Sequence, residues 1–358
     1  MPLPSLVRGR GAPSNAPSAR FDEPGREADR DWLDDQSVVD DGPPRLRTTV
    51  TIEQPRTIIS RNTSPDIPFD RSVNAYRGCE HGCIYCFARP THAYLGLSPG
   101  LDFEAKLFAK PSAPALLRRE LSRKGYTPAV LAMGTNTDPY QPIEASHRIT
   151  RGLLEVLRDF RHPVSITTKS DRVVADLDIL RDLAANGLVA VVISVTSLDP
   201  AIARTLEPRA ATPARRLAAI AKLSAAGIPT YVSVSPIVPA ITDHEIEGIL
   251  DAAAAAGAVG AFARPIRLPL EVAPLFRQWL DAHHPGRADH VMSLIRSMRE
   301  GRDNDPGFGS RMKGTGPYAA LLHRRVALAK AHLGLNAPRA ALRTDLFDVP
   351  GERQWALL

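Results

Sequence analysis

The eight residues Cys79-Glu-His-Gly-Cys83-Ile-Tyr-Cys86 hold all three cysteines of the 358-residue chain. Their spacing is C-x3-C-x2-C, and the sequence has no fourth cysteine. Three thiolates on one short loop can hold three irons of a cubane iron–sulfur cluster and leave the fourth iron open. An open iron can bind and reduce a small molecule, which a fully coordinated electron-transfer cluster does less readily. The triplet therefore predicts a redox-active cluster with one free coordination site.

A structural zinc site is the alternative interpretation of the same triplet. Cys3His is an ordinary zinc ligand set, and His81 and His92 lie close by in the sequence. Zinc ligands usually come as two short-spaced couples joined by a longer loop, whereas this is one tight triplet. A disulfide framework is disfavoured, because the cysteine count is low and odd and no secretory signal precedes the chain. We expect reduced thiolates and a cytoplasmic protein.

The cysteine loop and its flanks, from Asn74-Ala-Tyr-Arg-Gly-Cys79 through Phe87, closely resemble the cluster loop of radical S-adenosylmethionine (SAM) enzymes. The resemblance implies a 4Fe–4S cluster held by Cys79, Cys83 and Cys86, with SAM on the open iron through its amino and carboxylate groups. It also implies that an electron from an external flavodoxin- or ferredoxin-type donor cleaves SAM to a 5′-deoxyadenosyl radical. That radical would abstract hydrogen from a substrate that the sequence does not identify.

Length and composition set broad limits on the fold and the partners. A chain of 358 residues with 44% hydrophobic residues can form one large α/β barrel or two ordinary domains. No run approaches 18 apolar residues, so we expect no membrane-spanning helix. The net charge of +6 permits a polyanionic partner, which makes a nucleic acid one candidate for the substrate.

The chain divides into three predicted parts. Residues 1–48 are rich in Pro, Gly, Ser, Arg and Asp and lack hydrophobic periodicity, which predicts a disordered, solvated arm. Residues 49–270 form the predicted radical SAM core, with an extended lead-in over 49–71 that includes a strand near 48–52. Residues 271–358 form a predicted extension of helices and loops, which could cap the barrel bottom, close over its mouth or contact a substrate.

Strand-like and helix-like segments alternate along the predicted core. Short apolar runs such as Val189-Ala-Val-Val-Ile-Ser-Val195 suit strands that are buried on both faces. The Thr242-x-x-Glu245 spacing indicates a capping box at the start of a helix. We predict strands over 72–77, 129–134, 163–168, 188–195, 229–235 and 258–263. We predict helices near 112–124, 146–160, 172–185, 213–226 and 243–256 in the core, and near 271–284, 288–300 and 317–333 beyond it.

Six strand–helix repeats predict a parallel sheet with right-handed crossovers. The pattern alone does not separate an open doubly wound sheet from a barrel. The cysteine loop after the first strand favours a partial (β/α)6 barrel of the TIM type, which is the fold of the enzymes that the chain resembles. Catalytic groups in such barrels collect at the C-terminal ends of the strands, so polar residues there are the candidate site.

Polar residues do follow the second predicted strand. Gly134, Thr135 and Asn136 stand where the resemblance implies contact with the amino group of the methionine part of SAM. The family's usual Gly-Gly-Glu is replaced here, which leaves the role of each residue open. Asp138 and Tyr140, later in the same loop, could instead face the substrate.

The third and fourth predicted strands end at Lys169, Ser194 and Thr196. A lysine here could pair with the carboxylate of SAM in a charge-assisted contact, although an ordinary surface lysine would give the same pattern. Hydroxyl groups at the end of the fourth strand suit the ribose or the carboxylate of SAM. Spore photoproduct lyase and its relatives have similar Lys- and Ser-ending strands that contact SAM, which supports Lys169 and Ser194.

Three more residues are candidates for SAM binding. Tyr85 stands where members of the family carry an aromatic residue near adenine, and Ile237 ends an apolar strand that suits packing against adenine. Arg209 could reach the carboxylate of SAM or the substrate. A solvated helix face explains the neighbouring Arg215 and Arg216 equally well.

The stretch from Asn74 to Gly96 and the Asp138-Pro-Tyr-Gln-Pro motif resemble most the spore photoproduct lyase-like branch, often described as DNA repair photolyase-like. Spore photoproduct lyase uses an additional cysteine as a hydrogen-atom donor downstream of its cluster loop, and this chain has none. We therefore do not assign thymine-dimer reversal through that relay. Tyr140 is the candidate catalytic residue, as a hydrogen relay in place of the cysteine.

Two functions compete at this point. The first is a radical SAM enzyme whose substrate is unidentified, with nucleic acid among the candidates. The second is a non-catalytic nucleic-acid-binding protein with a structural Cys3His zinc site, which predicts zinc without sulfide and an affinity that falls steeply with salt. Aromatic residues make up only 6% of the chain, which counts against single-strand binding by base stacking.

Overall fold

The computed structural model of the protein describes residues 6–21 and 46–351. A mainly parallel sheet runs through these residues, and a smaller sheet lies beside it. The strands are Thr49–Ile52 (β1), Ile59–Arg61 (β2), Arg71–Val73 (β3), Tyr76–Arg77 (β4), Lys106–Ala109 (β5), Leu131–Met133 (β6), Val164–Thr168 (β7), Val189–Ser194 (β8), Thr230–Ile237 (β9) and Gly260–Pro265 (β10).

The large sheet has the strand order β10-β9-β8-β7-β6-β3-β2. Its strands from β3 to β10 are parallel to their neighbours, and β2 pairs antiparallel with β3 at the edge. Every residue of β8 is buried, as expected for a strand that is covered on both faces. Six parallel strands with intervening helices confirm the predicted partial (β/α)6 barrel.

Helices follow each of the longer parallel strands and cover the sheet. Those of the core are Leu101–Ala105 (α1), Ala113–Leu121 (α2), Glu144–His147 (α3), Ile149–Asp159 (α4), Leu177–Ala185 (α5), Pro200–Leu206 (α6), Pro213–Ala225 (α7) and Ile246–Ala255 (α8). Beyond the core are Val272–His283 (α9), Ala288–Ser297 (α10) and Gly316–His332 (α11). Short 3-10 segments cover Arg89–Leu95, Asp171–Asp176, Asp243–Glu245 and Pro285–Arg287.

The first predicted strand, 72–77, is divided between two sheets. The chain leaves the large sheet after β3, and β4 pairs antiparallel with β5. β5 also pairs with β1, which confirms the predicted strand near 48–52 and places it in the smaller sheet. Asn74 marks the division, because its side-chain oxygen accepts the backbone N–H of Asn136 at 3.1 Å. The loop after β6 therefore holds the chain at the point where it turns towards the cysteines.

The predicted capping box at Thr242 and Glu245 is wrong. The Thr242 hydroxyl accepts the backbone N–H of Val238 at 2.9 Å, and the Glu245 carboxylate accepts the N–H of Leu198 at 2.6 Å. Neither side chain caps the 3-10 segment that precedes α8. Both side chains instead fix loops that follow strands of the large sheet, on the side where the candidate site lies.

The N-terminal strap, residues 8–21, contains no helix or strand and yet is anchored to the core. The backbone N–H groups of Gly11 and Ala12 donate to the carboxylate of Glu104 at 2.9 and 2.8 Å. Residues 10–13 are buried, which differs from the predicted solvated arm because the strap contributes hydrogen-bond donors to a buried carboxylate. The rest of the predicted arm, residues 1–5 and 22–45, lies outside the described residues.

Glu104 links the strap to the cysteine loop. It is fully buried, as is Arg89, whose guanidinium lies 2.5 Å from its carboxylate. A Cβ atom built on Gly82 would lie 2.7 Å from Glu104, and one built on Gly11 would overlap the carbonyl oxygen of Gly82. The Gly82 backbone therefore leaves no room for a side chain at residue 11, and the Glu104 carboxylate leaves little at residue 82, where φ is +66°.

Helices beyond the core pack beneath the cysteine loop. Ile84 and Tyr85 share a hydrophobic cluster with Phe276 and Trp279 of α9. The indole N–H of Trp279 donates to the backbone oxygen of Thr205 at 3.0 Å. The predicted boundary at residue 270 stays a prediction, and α9 belongs physically with the cysteine loop.

We expect Gly11→Ala to lower the free energy of unfolding by about 1–3 kcal/mol, because the added methyl group overlaps the Gly82 backbone. The matched control is Gly286→Ala, where no atom lies within 4 Å of the new Cβ. Denaturant unfolding of the two variants and the parent protein measures the effect. Equal stability of the two variants would show that the strap does not pack on the cysteine loop in solution.

Candidate functional site

The cysteine loop begins directly after β4 and is fixed on both sides. The backbone N–H of Cys79 donates to the carbonyl of Phe103 at 3.0 Å, and that of Ile84 donates to the carbonyl of Leu206 at 3.0 Å. Gly78, which precedes the loop, has a φ of +73°, and a Cβ atom there would lie 2.8 Å from the Phe103 carbonyl. The left-handed turn and the close approach both require glycine, so the loop geometry is built into the backbone.

The three thiols face a protein interior. Cys79 and Cys83 are each 7% exposed, and Cys86 is partly exposed. Burial raises the pKa of all three thiols, and the carboxylate of Asp138 raises that of Cys79 further. The ammonium of Lys169 acts in the opposite direction on Cys83 and Cys86. Buried thiolates without a nearby cation are costly, so this donor set suits a metal group that supplies the missing positive charge.

The residues present fit an iron–sulfur cluster better than a single zinc ion. Among residues 6–21 and 46–351, no three His, Cys, Asp or Glu side chains are placed to hold one metal ion. His81 Nδ1 lies 3.3 Å from a carboxylate oxygen of Asp138, and His92 Nε2 lies 3.0 Å from the Lys106 carbonyl. Both candidate zinc histidines therefore have other partners. A cubane does not need its ligands to converge, because each thiolate binds a different iron.

A buried carboxylate, Glu207, organises the ends of β7 and β8. The guanidinium of Arg216 and the hydroxyl of Tyr85 contact it, the Thr196 hydroxyl donates to it at 2.6 Å, and Lys169 Nζ lies 3.4 Å away. Burial alone would raise the pKa of Glu207, but the charges of Arg216 and Lys169 outweigh it and hold that pKa well below its usual range. Glu207 is therefore an anion that holds cationic and hydroxyl groups at the strand ends.

Four predicted SAM-binding residues, namely Tyr85, Lys169, Ser194 and Thr196, are brought together around Glu207. Lys169 Nζ lies 5.7 Å from the centre of the Tyr85 ring, and the two hydroxyls of Tyr85 and Thr196 are 3.3 Å apart. Ser194 is 5% exposed, and its carbonyl accepts a guanidinium N–H of Arg216 at 3.0 Å. Their contacts with SAM stay predictions, and their mutual placement is an observed property of the fold.

The loop after β6 carries three further predicted residues. Gly134 has a φ of +89°, and a Cβ atom there would overlap the Thr167 carbonyl of β7. The hydroxyl of Thr135 and the backbone N–H of Asn136 both donate to the side chain of Asn74 at 3.1 Å. The Thr135 side chain and the Asn136 backbone thus fix the path of the loop, and the exposed residue Asn136 keeps its side chain available to a ligand.

Asp138 and Tyr140 are turned towards protein. The Asp138 carboxylate accepts the Thr168 hydroxyl at 2.6 Å and the backbone N–H of Lys169 at 2.8 Å. Tyr140 is 2% exposed, belongs to the main hydrophobic core and donates its hydroxyl to Asp176 at 3.0 Å. The hydrogen-relay role of Tyr140 stays a prediction that this placement does not support, because the hydroxyl is already engaged inside the core.

Ile237 and Arg209 lie apart from the Glu207 group. Ile237 is 2% exposed and packs in the main hydrophobic core, so its predicted contact with adenine gains no support. Arg209 forms an ion pair with Glu80 at 3.1 Å, and its backbone N–H donates to the His81 carbonyl at 3.2 Å. Arg209 is therefore held against the cysteine loop through Glu80 and His81.

The sequence reasoning missed Glu207 as a central residue and misread Arg216. Arg216 is 2% exposed, so the solvated-face interpretation of this residue is wrong. A signal was present, because the buried residues of α7 recur with helical spacing as Pro213, Arg216, Ala219, Ile220 and Leu223. Nothing in the local sequence indicates that Glu207 is its partner.

A profile of the Radical SAM superfamily matches residues 73–253, which span the cysteine loop and the strands from β4 to β9. The chain belongs to the radical SAM superfamily. It is therefore an enzyme of SAM-dependent radical chemistry, and the family implies SAM and an iron–sulfur cluster as its cofactors. The predicted resemblance is confirmed.

Similar sequences occur in distant organisms. Uncharacterized proteins of Mycobacterium bovis and Mycobacterium tuberculosis are 38% identical over 232 residues, which cover 64% of this chain and 68% of theirs. An uncharacterized protein of Methanocaldococcus jannaschii is 27% identical over 173 residues, which cover 48% of this chain and 62% of that protein.

Solved structures of spore photoproduct lyase share the fold. One variant of that enzyme superposes with a TM-score of 0.57 and 17% identity over 80% of both chains. Spore photoproduct lyase complexed with dinucleoside spore photoproduct gives a TM-score of 0.55 and 16% identity over 79% of both chains. At this identity the likeness concerns the fold alone. Of the helices described, none is both long and apolar enough to cross a membrane.

We expect Glu207→Gln to lower the free energy of unfolding by about 3 kcal/mol or more, because it leaves the buried Arg216 without a carboxylate. The folded-state pKa of Glu207 lies below its usual value of 4.5, so this contribution is present above pH 4.5 and is lost as the pH falls through the folded-state pKa. Denaturant unfolding at several pH values measures it.

The matched control for that variant is Glu247→Gln, which breaks an exposed pair with Arg325. Exposed pairs contribute about 1 kcal/mol or less, so this variant should stay close to the parent protein. If Glu207→Gln is no less stable than the control, the buried carboxylate does not hold the strand ends together.

Proposed function

We propose that this enzyme binds a 4Fe–4S cluster through Cys79, Cys83 and Cys86 and uses it to cleave SAM and start radical chemistry on a substrate. When bound, the cluster supplies the electron that converts SAM to a 5′-deoxyadenosyl radical, which abstracts a hydrogen atom. The observation that carries the proposal is the placement of three thiols, those of Cys79 and Cys83 buried and that of Cys86 partly exposed, beside the Lys169–Glu207 group at the C-terminal edge of the parallel strands.

Lys169 is the residue best placed to hold the carboxylate of SAM. Its side chain is 15% exposed, and its ammonium is held near Glu207 without being fully enclosed. The ammonium can donate to a ligand carboxylate while it keeps its contact with Glu207, because it carries three donors. The hydroxyls of Ser194 and Thr196 lie on the next strand end and extend the same polar surface.

The remaining proposed contacts with SAM are assigned from the positions of the residues in the fold. The loop after Gly134 would receive the amino group of SAM, with the Thr135 hydroxyl and the Asn136 backbone N–H holding the loop in place. Tyr85 offers a ring whose hydroxyl is fixed by Glu207, so its face is oriented for contact with adenine. Arg209 and Ile237 have no part in this arrangement.

The site also needs a source of electrons from outside the chain. We propose a flavodoxin- or ferredoxin-type donor that approaches at Cys86, which is the most exposed of the three cysteines. Phe87, directly after it, is 55% exposed. An exposed aromatic residue beside the ligand marks an accessible edge of the loop where a partner could come close.

The direct experiment is metal and sulfide analysis of anaerobically purified protein, followed by reduction with dithionite in the presence of SAM. We expect about four irons and four sulfides per chain, a broad absorption band near 400 nm, and formation of 5′-deoxyadenosine. The Cys83→Ala variant should bind less iron and form no 5′-deoxyadenosine. One zinc without sulfide would support the structural alternative, and a fully loaded protein that forms no 5′-deoxyadenosine would contradict the proposed chemistry.

A second prediction concerns Lys169. Lys169→Met should weaken SAM binding by about tenfold or more, because one charge-assisted contact is lost. Its iron content should stay at the level of the parent protein. Equilibrium dialysis of labelled SAM against the cluster-loaded protein measures the affinity, and Lys222→Met, at an exposed position on α7, is the control. Equal affinity of the two variants for SAM would show that Lys169 does not contribute to SAM binding.

A further inference from the structure

A cavity of about 570 Å³ lies beside the cysteine loop. Four separate parts of the chain meet there, namely the strap, the segment before β1, the cysteine loop and the loop after α6. The volume falls within the range of small-molecule sites. Its lining residues are Arg8, Leu46, Arg47, Thr48, Glu80 and Arg209.

The cavity has an excess of positive charge. Three arginines line it against one carboxylate, Glu80, which is 3% exposed and already engaged. Glu80 accepts the hydroxyl of Thr48 and forms its ion pair with Arg209. Within the described part of the chain, Arg8 and Arg47 have no carboxylate partner. Both arginines are exposed and line the cavity.

A further arginine lies directly behind the cavity wall. Arg10 is 8% exposed and donates to the carbonyls of Glu104 and Leu46, both at 2.7 Å, and to the Thr48 hydroxyl at 2.9 Å. No carboxylate among residues 6–21 and 46–351 forms an ion pair with it. Burial and the charge of Arg209 lower the pKa of Arg10, while the carboxylates of Glu104 and Glu80 act in the opposite direction. A phosphate in the cavity would add a further anion beside this buried arginine.

The cavity shares a wall with the proposed cluster site. Glu80 follows Cys79 directly, and its backbone N–H donates to the side chain of Gln141 at 2.8 Å. Arg209 is tied to the His81 carbonyl within the same loop. A ligand held here would therefore lie against the cysteine loop, next to the chemistry that the family membership assigns.

We propose that this cavity binds a phosphate group of the substrate, and that the substrate is a phosphate ester such as a nucleotide or a nucleic-acid strand. Guanidinium forks match phosphate oxygens in pairs, and a phosphate can accept from several forks at once. The assignment to the substrate rests on the proposed function. Phosphate binding itself does not require SAM cleavage, so the two proposals can fail separately.

The test uses the full-length, cluster-loaded protein with inorganic phosphate, thymidine 5′-monophosphate and a short labelled single-stranded oligonucleotide as probes. The variant is Arg8→Gln/Arg47→Gln, which changes two exposed residues and should fold normally. The control is Arg123→Gln/Arg324→Gln, which removes the same net charge from exposed positions elsewhere. Calorimetry measures phosphate and nucleotide binding, and fluorescence anisotropy measures oligonucleotide binding. The full chain keeps the acidic residues between 22 and 45, so any competition from them is already included.

We expect the Arg8/Arg47 variant to lose at least about tenfold in affinity for the phosphate-bearing probes, and the control to lose little. Similar binding of the mononucleotide and the oligonucleotide would identify a single phosphate ester, and much tighter binding of the oligonucleotide would identify a strand. Equal affinity in the variant and the control would overturn the proposal, as would failure of the parent protein to bind any probe. 5′-Deoxyadenosine formation by the same samples shows separately whether the proposed function holds.

Discussion

One buried carboxylate, Glu207, governs the geometry at the strand ends. A carboxylate inside a protein is costly unless cations and hydrogen-bond donors surround it, and here they come from four places. Tyr85 belongs to the cysteine loop, Lys169 follows β7, Thr196 follows β8 and Arg216 lies on α7. Because all four must meet the same two oxygen atoms, the cysteine loop cannot be placed independently of the sheet. The contacts with Glu207 therefore set the position of the cysteine loop relative to the strand ends.

A second buried carboxylate, that of Glu104, also stabilises the cysteine loop. Glu104 receives Arg89 and two N–H groups of the strap, and it lies against Gly82 at the turn of the loop. The cysteine loop is thus held between two buried anions that share no partner. Such a loop resists movement whether or not its thiols have bound iron, which suits a site that must receive a cluster without refolding.

Patterns that are local in the sequence predicted the fold and the family well. Apolar runs such as 188–195 predicted the parallel strands, and the cysteine triplet indicated the radical SAM superfamily. Side-chain partners could not be predicted, because no pattern near Glu207 in the sequence indicates that Arg216 or Lys169 contacts its carboxylate. The sequence was equally unable to show that the Tyr140 hydroxyl already has a partner inside the protein. A tyrosine in a polar loop looks exposed in sequence, and only the fold reveals Asp176 beside its hydroxyl.

The proposed SAM site and the proposed phosphate site are built from different parts of the chain. The family match covers residues 73–253, which include the cysteines and the Glu207 group. Arg8 and Arg47, at the opening of the arginine-lined cavity, lie outside that range. A shared barrel can carry many chemistries when recognition is built from segments added around it. The strap has both roles here, because the backbone of Gly11 stabilises the cysteine loop while Arg8, three residues earlier, lines the cavity. Any change of substrate preference in this branch would therefore have to preserve the contact with Glu104 that keeps the loop in place.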